Sequence, residues 1–202
     1  MIAIIDYDAG NIRSVEKAIA LLGEEPCITR DKDTILRADK VILPGVGAFG
    51  SAMEKIRAYG LEEVIHEVVD RGTPFLGICL GLQLLFEESE EAPGVKGLGL
   101  FEGKIVRIPD QNGTLKIPHI GWNSLQFPNK GSLFEGIEEN SFVYFVHSFY
   151  LKAKNTNDVV ATTEYGEILD VAVQRDNMYA CQFHPEKSST VGLKIIENFI
   201  KL

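Results

Sequence analysis

The stretch Gly77-Ile78-Cys79-Leu80-Gly81 limits what this chain can fold into more than any other. It follows the apolar run Pro74-Phe75-Leu76 and precedes Leu82-Gln83-Leu84-Leu85-Phe86. The pattern reads as strand, tight turn and helix, with a thiol at the apex and a glycine two residues to either side. This is the layout of a nucleophile elbow, with Cys where hydrolases often carry Ser. The flanking glycines let the backbone turn sharply, and the positive end of the following helix favours a thiolate. The plainer alternative, a small buried hydrophobe, does not account for the paired glycines.

A thiolate needs a base, and the base needs an orienting group. Gln182-Phe183-His184-Pro185-Glu186-Lys187-Ser188 supplies both. His184 ends the alternating run 179–183, and Pro185 stops that strand because it cannot donate to a sheet. In extended backbone His184 and Glu186 leave on the same side. The carboxylate can then accept from one ring nitrogen while the other faces the thiol. Alone, His-x-Glu equally describes a surface ion pair; with the elbow it makes a Cys79–His184–Glu186 triad. Cys181-x-x-His184 suggests a metal pair, but on a strand these side chains would face opposite ways, so no metal is expected.

Val41-Ile42-Leu43-Pro44-Gly45-Val46-Gly47-Ala48-Phe49-Gly50 reads as a buried strand followed by a loop whose backbone N–H groups can receive an oxyanion. It also matches G-x-G-x-x-G, the dinucleotide fingerprint, which expects an acid at the end of the next strand. Asp70 has the right offset but sits in a helical pattern. Asp6-Tyr7-Asp8 resembles the acidic strand ends of a phospho-accepting receiver, yet Pro44, not an acid, ends the strand at 41–43.

Together these motifs resemble the class I (triad) glutamine amidotransferase domain. Four further segments are similar to the glutaminase subunits of imidazole glycerol phosphate synthase. They are Phe86-Glu87-Glu88-Ser89-Glu90-Glu91-Ala92-Pro93-Gly94, Pro118-His119-Ile120-Gly121-Trp122-Asn123, Tyr144-Phe145-Val146-His147-Ser148 and Phe183-His184-Pro185-Glu186-Lys187-Ser188-Ser189. The matches span nearly the whole chain, read as a single domain over 1–202. The resemblance implies hydrolysis of L-glutamine to glutamate and ammonia, with no cofactor, and a heterodimer with a (β/α)8-barrel cyclase. It implies that Leu80, Gly45, Val46 and Gly47 form the oxyanion hole and that Gln83, Glu91, His147 and Ser148 contact glutamine. It also implies that Asn11, Trp122, Tyr144 and Lys187 face the partner. From the residues alone, Trp122 could as well be core. His119 and His147 read as structural, since neither has an acid at useful spacing, and His66 reads as a surface residue. Glu87, Glu88, Glu90 and Glu91 are expected to crowd the C-terminal end of the elbow helix, the wrong end for negative charge.

Composition narrows the partners. The net charge of −9 comes without a basic run, which argues against nucleic acid or an anionic membrane. The opening Met1-Ile2-Ala3-Ile4-Ile5-Asp6 is too short for a signal peptide, and no run approaches a membrane span. Cys27, Cys79 and Cys181 are too scattered for a disulfide framework, so a cytoplasmic protein is expected.

The first half alternates strand and helix. Strands are expected at 2–6, 26–29 and 40–43. Helices are expected at 11–23 (apolar at Ile12, Val15, Ile19, Leu22), from about Phe49, and at 61–71. This is βαβ logic and predicts a mostly parallel open sheet with helices on both faces, an α/β fold with ligands at the carboxyl ends of the strands. The second half predicts added antiparallel strands at 104–108, 124–127, 142–150, 159–164 and 171–174, divided by Asn-rich turns, and a last helix at 190–202.

Overall fold

The computed structural model describes residues 1–129 and 131–202; the middle of the expected Asn129-Lys130-Gly131 turn lies outside them. In chain order the elements are β1 (Ile2–Ile5), α1 (Ile12–Leu21), β2 (Pro26–Thr29), α2 (Lys32–Leu36), β3 (Lys40–Leu43), α3 (Phe49–Ala58), α4 (Leu61–Asp70), β4 (Phe75–Ile78) and α5 (Leu80–Leu84). They continue with β5 (Phe86–Ser89), β6 (Phe101–Arg107), β7 (His119–Ser124), β8 (Phe142–His147), β9 (Phe149–Ala153), β10 (Val159–Tyr165), β11 (Glu167–Arg175), β12 (Met178–Cys181) and α6 (Ser189–Lys201).

The main sheet runs β2-β1-β3-β4-β12-β11-β9-β6-β5, with β10 hanging on β11. From β2 to β12 every pairing is parallel. Beyond β12 the pairings to β11, β9 and β6 are antiparallel, and β5 returns parallel to β6. β7 and β8 form a separate antiparallel ribbon. This is the expected mostly parallel α/β sheet with antiparallel strands added in the second half.

The parallel strands are buried on both faces, so they read as continuous apolar runs. Period-2 alternation nevertheless sorts their side chains. Ile2, Ile4 and Ile42 pack with Val15 and Ile19 of α1 and Ile195, Ile196 and Phe199 of α6. Ala3, Ile5, Val41 and Leu43 pack on the other face with α2, α3 and α4 through Ile35, Met53, Ile56, Val64 and Ile65. Gly23, at φ 87°, ends the first helix region as a left-handed glycine does.

Several expectations need correction. The elbow helix stops at Leu84, and Phe86–Ser89 is a strand with Phe86 and Ser89 inward and the two glutamates outward. The glutamates therefore do not crowd a helix C-terminus. Glu87 accepts from Gly103 N–H, Glu88 pairs with Lys96, and Glu90 accepts from Arg107 N–H. The strand expected at 124–127 lies earlier, at His119–Ser124, and that expected at 142–150 is broken at Ser148 into β8 and β9, which join different sheets. The strand before His184 ends at Cys181, so strand alternation does not decide where His184 points. Helix α2 was not foreseen. Its cap is in the sequence: Asp31 accepts from Thr34 N–H at 2.9 Å.

Candidate active site

Loops from the carboxyl ends of β1, β3, β4 and β12 converge on one side of the sheet. Cys79, directly after β4, has φ 55° and ψ −110°, the strained geometry of an elbow. Its N–H donates to Cys181 O at 2.8 Å, pinning the turn to β12. The flanking glycines are there for space. A Cβ on Gly81 would lie 1.9 Å from Leu43 O, and one on Gly77 would lie 2.9 Å from Gly81 O.

Hydrogen bonds hold His184 from several directions. Its N–H donates to Tyr144 O at 3.0 Å. Ser188 Oγ donates to His184 O at 2.6 Å and accepts from Tyr144 N–H at 2.9 Å. The ring Nδ1 meets Glu186 Oε1 at 2.8 Å, and the Glu186 side chain is fully buried. That carboxylate accepts the Nδ1 proton and fixes the ring's orientation, with Nε2 turned away from Glu186. Among the described residues, His184 Nε2 and Glu186 Oε2 are the only buried side-chain polar atoms without a partner. Orphans of this kind cost stability and call for an explanation, of which catalysis is one. Burial pushes the His184 imidazole down. The contacts of its ring with Cys79 and Glu186, and their charges, outweigh this and raise it to about 9. The ring is therefore an imidazolium at neutral pH.

Cys79 and His184 open into one cavity of about 340 Å³, lined also by Val46, Gly47, Leu80, Gln83, Glu91, His147 and Ser148. That is the small end of the roughly 300–1,000 Å³ typical of ligand pockets and suits an amino acid. Of the expected catalytic, oxyanion and substrate residues, Gly45 and Glu186 are absent from this lining. Glu186 stands behind His184, and Gly45 is buried beneath its loop. Pro118, Val146 and Phe149 complete the wall; the first two lie in segments that carry the resemblance but had no role assigned, and Phe149 lies just outside them.

Two details alter the expected roles. Glu91 Oε2 accepts from Phe49 N–H at 2.7 Å, so its carboxylate caps the N-terminus of α3 while bordering the cavity. That terminus is where a dinucleotide phosphate would sit, and Asp70 is the last residue of α4, not a strand end. His147 borders the cavity, but Nδ1 meets Phe149 O at 2.9 Å and Nε2 meets His119 Nδ1 at 3.0 Å. Both ring nitrogens are therefore spent within the protein. Burial holds His147 down to about 3 and His119 down to about 4, so both are neutral.

The oxyanion segment is closed. Leu80 N–H, the donor expected at the elbow, is given to Gly45 O at 3.3 Å. Tyr7, fully buried, donates from its hydroxyl to Pro44 O at 2.8 Å and lies directly under Gly45. Nothing local marks Tyr7 for this place, since its partner Pro44 lies 37 residues away.

Of the residues expected to face a partner, Trp122 is 51% exposed and packs edge-on against Tyr144, ring centroids 6.0 Å apart. Lys187 is exposed. With exposed Ile120 and Phe142 they lie on the outer side of the β7–β8 ribbon or beside it. Asn11 turns inward: Nδ2 donates to Glu186 Oε1 at 2.6 Å.

An elbow cysteine, a carboxylate-oriented histidine and an adjacent loop with backbone N–H groups lie together on an open α/β sheet, an arrangement suited to thiol-dependent acyl transfer. The model of the class-I glutamine amidotransferase family matches residues 3–202, and the chain belongs to that family. Within it, the chain is 50% identical over 202 residues to the imidazole glycerol phosphate synthase subunit HisH of Methanocaldococcus jannaschii, covering all of both chains. The corresponding subunit of Moorella thermoacetica is also 50% identical, over all of this chain and 94% of that one. A solved glutamine amidotransferase superposes with a TM-score of 0.76 at 23% identity, covering 98% of this chain and 97% of that one. At that identity the likeness bears on the fold alone. Among the described residues, no helix is long and apolar enough to cross a membrane.

Proposed function

We infer that this chain is the glutaminase subunit of imidazole glycerol phosphate synthase, cleaving L-glutamine and passing ammonia to a (β/α)8-barrel cyclase in histidine biosynthesis. It works as one domain, in the cytoplasm. One observation carries the chemistry: Cys79 and His184 share one cavity, and the His184 ring is turned by a buried Glu186 2.8 Å away.

The Cys79 thiolate attacks the side-chain carboxamide carbon, and the carbonyl oxygen takes the negative charge. His184, already an imidazolium, gives its Nε2 proton to the departing nitrogen, and ammonia leaves. Neutral His184 then takes a proton from water, whose oxygen attacks the γ-glutamyl thioester. Glutamate departs, and the Cys79 thiolate and His184 imidazolium are restored. Gln83 and Glu91 are the polar side chains at the cavity wall suited to the amino-acid end of glutamine.

The oxyanion needs Leu80 N–H and an N–H from the Gly45–Gly47 segment. At rest Gly45 O takes the first, so the peptide after Gly45 must turn to free Leu80 and present an N–H in its place. Gly47, at φ 110°, gives the segment that freedom. One missing oxyanion donor lowers kcat roughly 10²–10³-fold. The closed loop thus keeps the subunit quiet until an acceptor for ammonia is bound. The cyclase docks on the apolar outer face made by Ile120, Trp122, Phe142 and Tyr144, with Lys187 and the Asn11 loop at its margin. Tyr144 joins that face to the triad, since its backbone holds both His184 N–H and Ser188 Oγ.

The test is glutamate release by the purified chain, alone and with a cyclase subunit and its ligand. A rise of about 10²-fold or more on completing the complex is expected. Full activity from the isolated chain would overturn the gate and the synthase-subunit reading with it.

A further inference from the structure

Gln182 follows β12 and is fully buried beside the nucleophile. Its Nε2 lies 3.6 Å from Cys79 Sγ, and its Oε1 accepts from Gln83 Nε2 at 2.9 Å. Gln83 Nε2 also donates to Phe149 O, at 3.3 Å. The mechanism above uses neither contact of Gln182.

An amide side chain can usually be turned end for end, but this pair cannot. A backbone carbonyl only accepts, so Phe149 O requires the nitrogen of Gln83. The second hydrogen of that nitrogen requires an oxygen on Gln182. The remaining end of Gln182, its NH₂, is then left against sulfur. Turning Gln182 alone would set N–H against N–H; turning both would set Gln83 oxygen against Phe149 oxygen. A main-chain carbonyl thus sets the polarity of two amides in series.

We propose that Gln182 is a positioning residue for the nucleophile: its side-chain N–H, held in one orientation by Gln83 and Phe149 O, anchors the Cys79 sulfur and favours its anionic form. The proposal rests on Cys79 being the nucleophile. A donor facing sulfur favours lone pairs there, and so favours the anionic sulfur that the His184 imidazolium faces. A donor to a charged acceptor contributes more than one to a neutral acceptor. The bland alternative is that Gln182 merely fills the core.

The experiment uses the chain in complex with its cyclase and three variants: Gln182→Met, which keeps the length and removes the donor; Gln182→Glu, which sets an acceptor against sulfur; and Gln83→Met, which leaves Gln182 free to turn. Iodoacetamide alkylation of Cys79 is followed by peptide mass against pH, with kcat and KM for glutamine measured alongside. Gln182→Met is expected to slow alkylation at neutral pH about tenfold and to move its profile to higher pH. kcat should fall by a similar factor while KM stays within about threefold. Gln182→Glu should slow alkylation further, and Gln83→Met severalfold. An alkylation profile of Gln182→Met that superimposes on wild type overturns the proposal, whatever happens to kcat. If Gln182→Met does not fold, the profile of Gln83→Met decides in the same way. Preferential labelling of Cys27 over Cys79 in the wild type would instead sink the nucleophile assignment.

Discussion

Removing the amide of Asn11 should slow the enzyme without unmaking it. Glu186 Oε1 accepts from His184 Nδ1 at 2.8 Å and from Asn11 Nδ2 at 2.6 Å, while Oε2 has no partner. Asn11 is thus one of the two donors that hold a buried carboxylate. A hydrogen bond to a charged group is worth about 1.5–3 kcal/mol. If that loss falls on the transition state, kcat drops roughly 10–100-fold, at about 1.4 kcal/mol per decade. Asn11 stands at the N-terminus of α1 with φ 67° and makes no side-chain capping bond, so no cap is lost with it. Gly tolerates that φ, which makes Asn11→Gly the clean deletion. Asn11→Asp should be worse, because it points a second carboxylate at Glu186. The assay is glutamine hydrolysis at saturating cyclase and cyclase ligand, with cyclase affinity from calorimetry. Weakened affinity with unchanged kcat in Asn11→Gly would refute the reasoning, since the amide would then serve the partner and not the triad.

Cys79→Ala should abolish hydrolysis and leave the fold intact. A glutamine-analogue electrophile should label Cys79 and spare Cys181, whose thiol is pushed up by burial and by Glu186 and Cys79; peptide mapping that finds both labelled equally would count against the assignment. Trp122→Ala should weaken the cyclase complex by about 2 kcal/mol or more, as an exposed aromatic anchor does, with an unchanged urea midpoint for the free chain. His184 is raised from 6.5 to about 9 in the folded chain. Its charge therefore stabilises the fold fully below pH 6.5, and this is lost as pH rises through 9. Wild type should lose urea stability relative to His184→Gln across that window, and parallel curves would refute the ion pair. His119 and His147 act at the other end. Held down to about 4 and about 3, they stay neutral in the fold while the unfolded chain takes protons, so stability should fall as pH drops below 6.5.

The legible parts of the site share one property: their signal is local. Gly77 to Gly81 announces a turn because the glycines, the thiol and the flanking apolar runs lie within one stretch. The parallel strands are readable for the same reason, each being a short apolar run bounded by helix or turn residues. What could not be read depends on contacts between distant segments. Phe86–Ser89 becomes a strand only because β6 lies beside it, and no local pattern separates it from a continuing helix. The break at Ser148 is a change of sheet, invisible in an alternating run. Asn11 meets Glu186 across 175 residues of sequence and Gln182 meets Cys79 across 103, so neither partnership has a spacing to find. Asp31-x-x-Thr34 is the opposite case, a helix cap whose whole signal is local.

The Gly45 carbonyl on Leu80 N–H means that the resting subunit carries its own competitor for the oxyanion hole. Reagents should therefore separate by what they demand of that hole. An aldehyde analogue of glutamine must build an anionic tetrahedral adduct, and it has to displace an internal oxygen before it gains anything. An alkyl halide transfers carbon to sulfur and develops no such charge. The first class should discriminate sharply between the lone subunit and the assembled synthase, and the second hardly at all. Inhibitors screened against the isolated chain would be drawn from the wrong class.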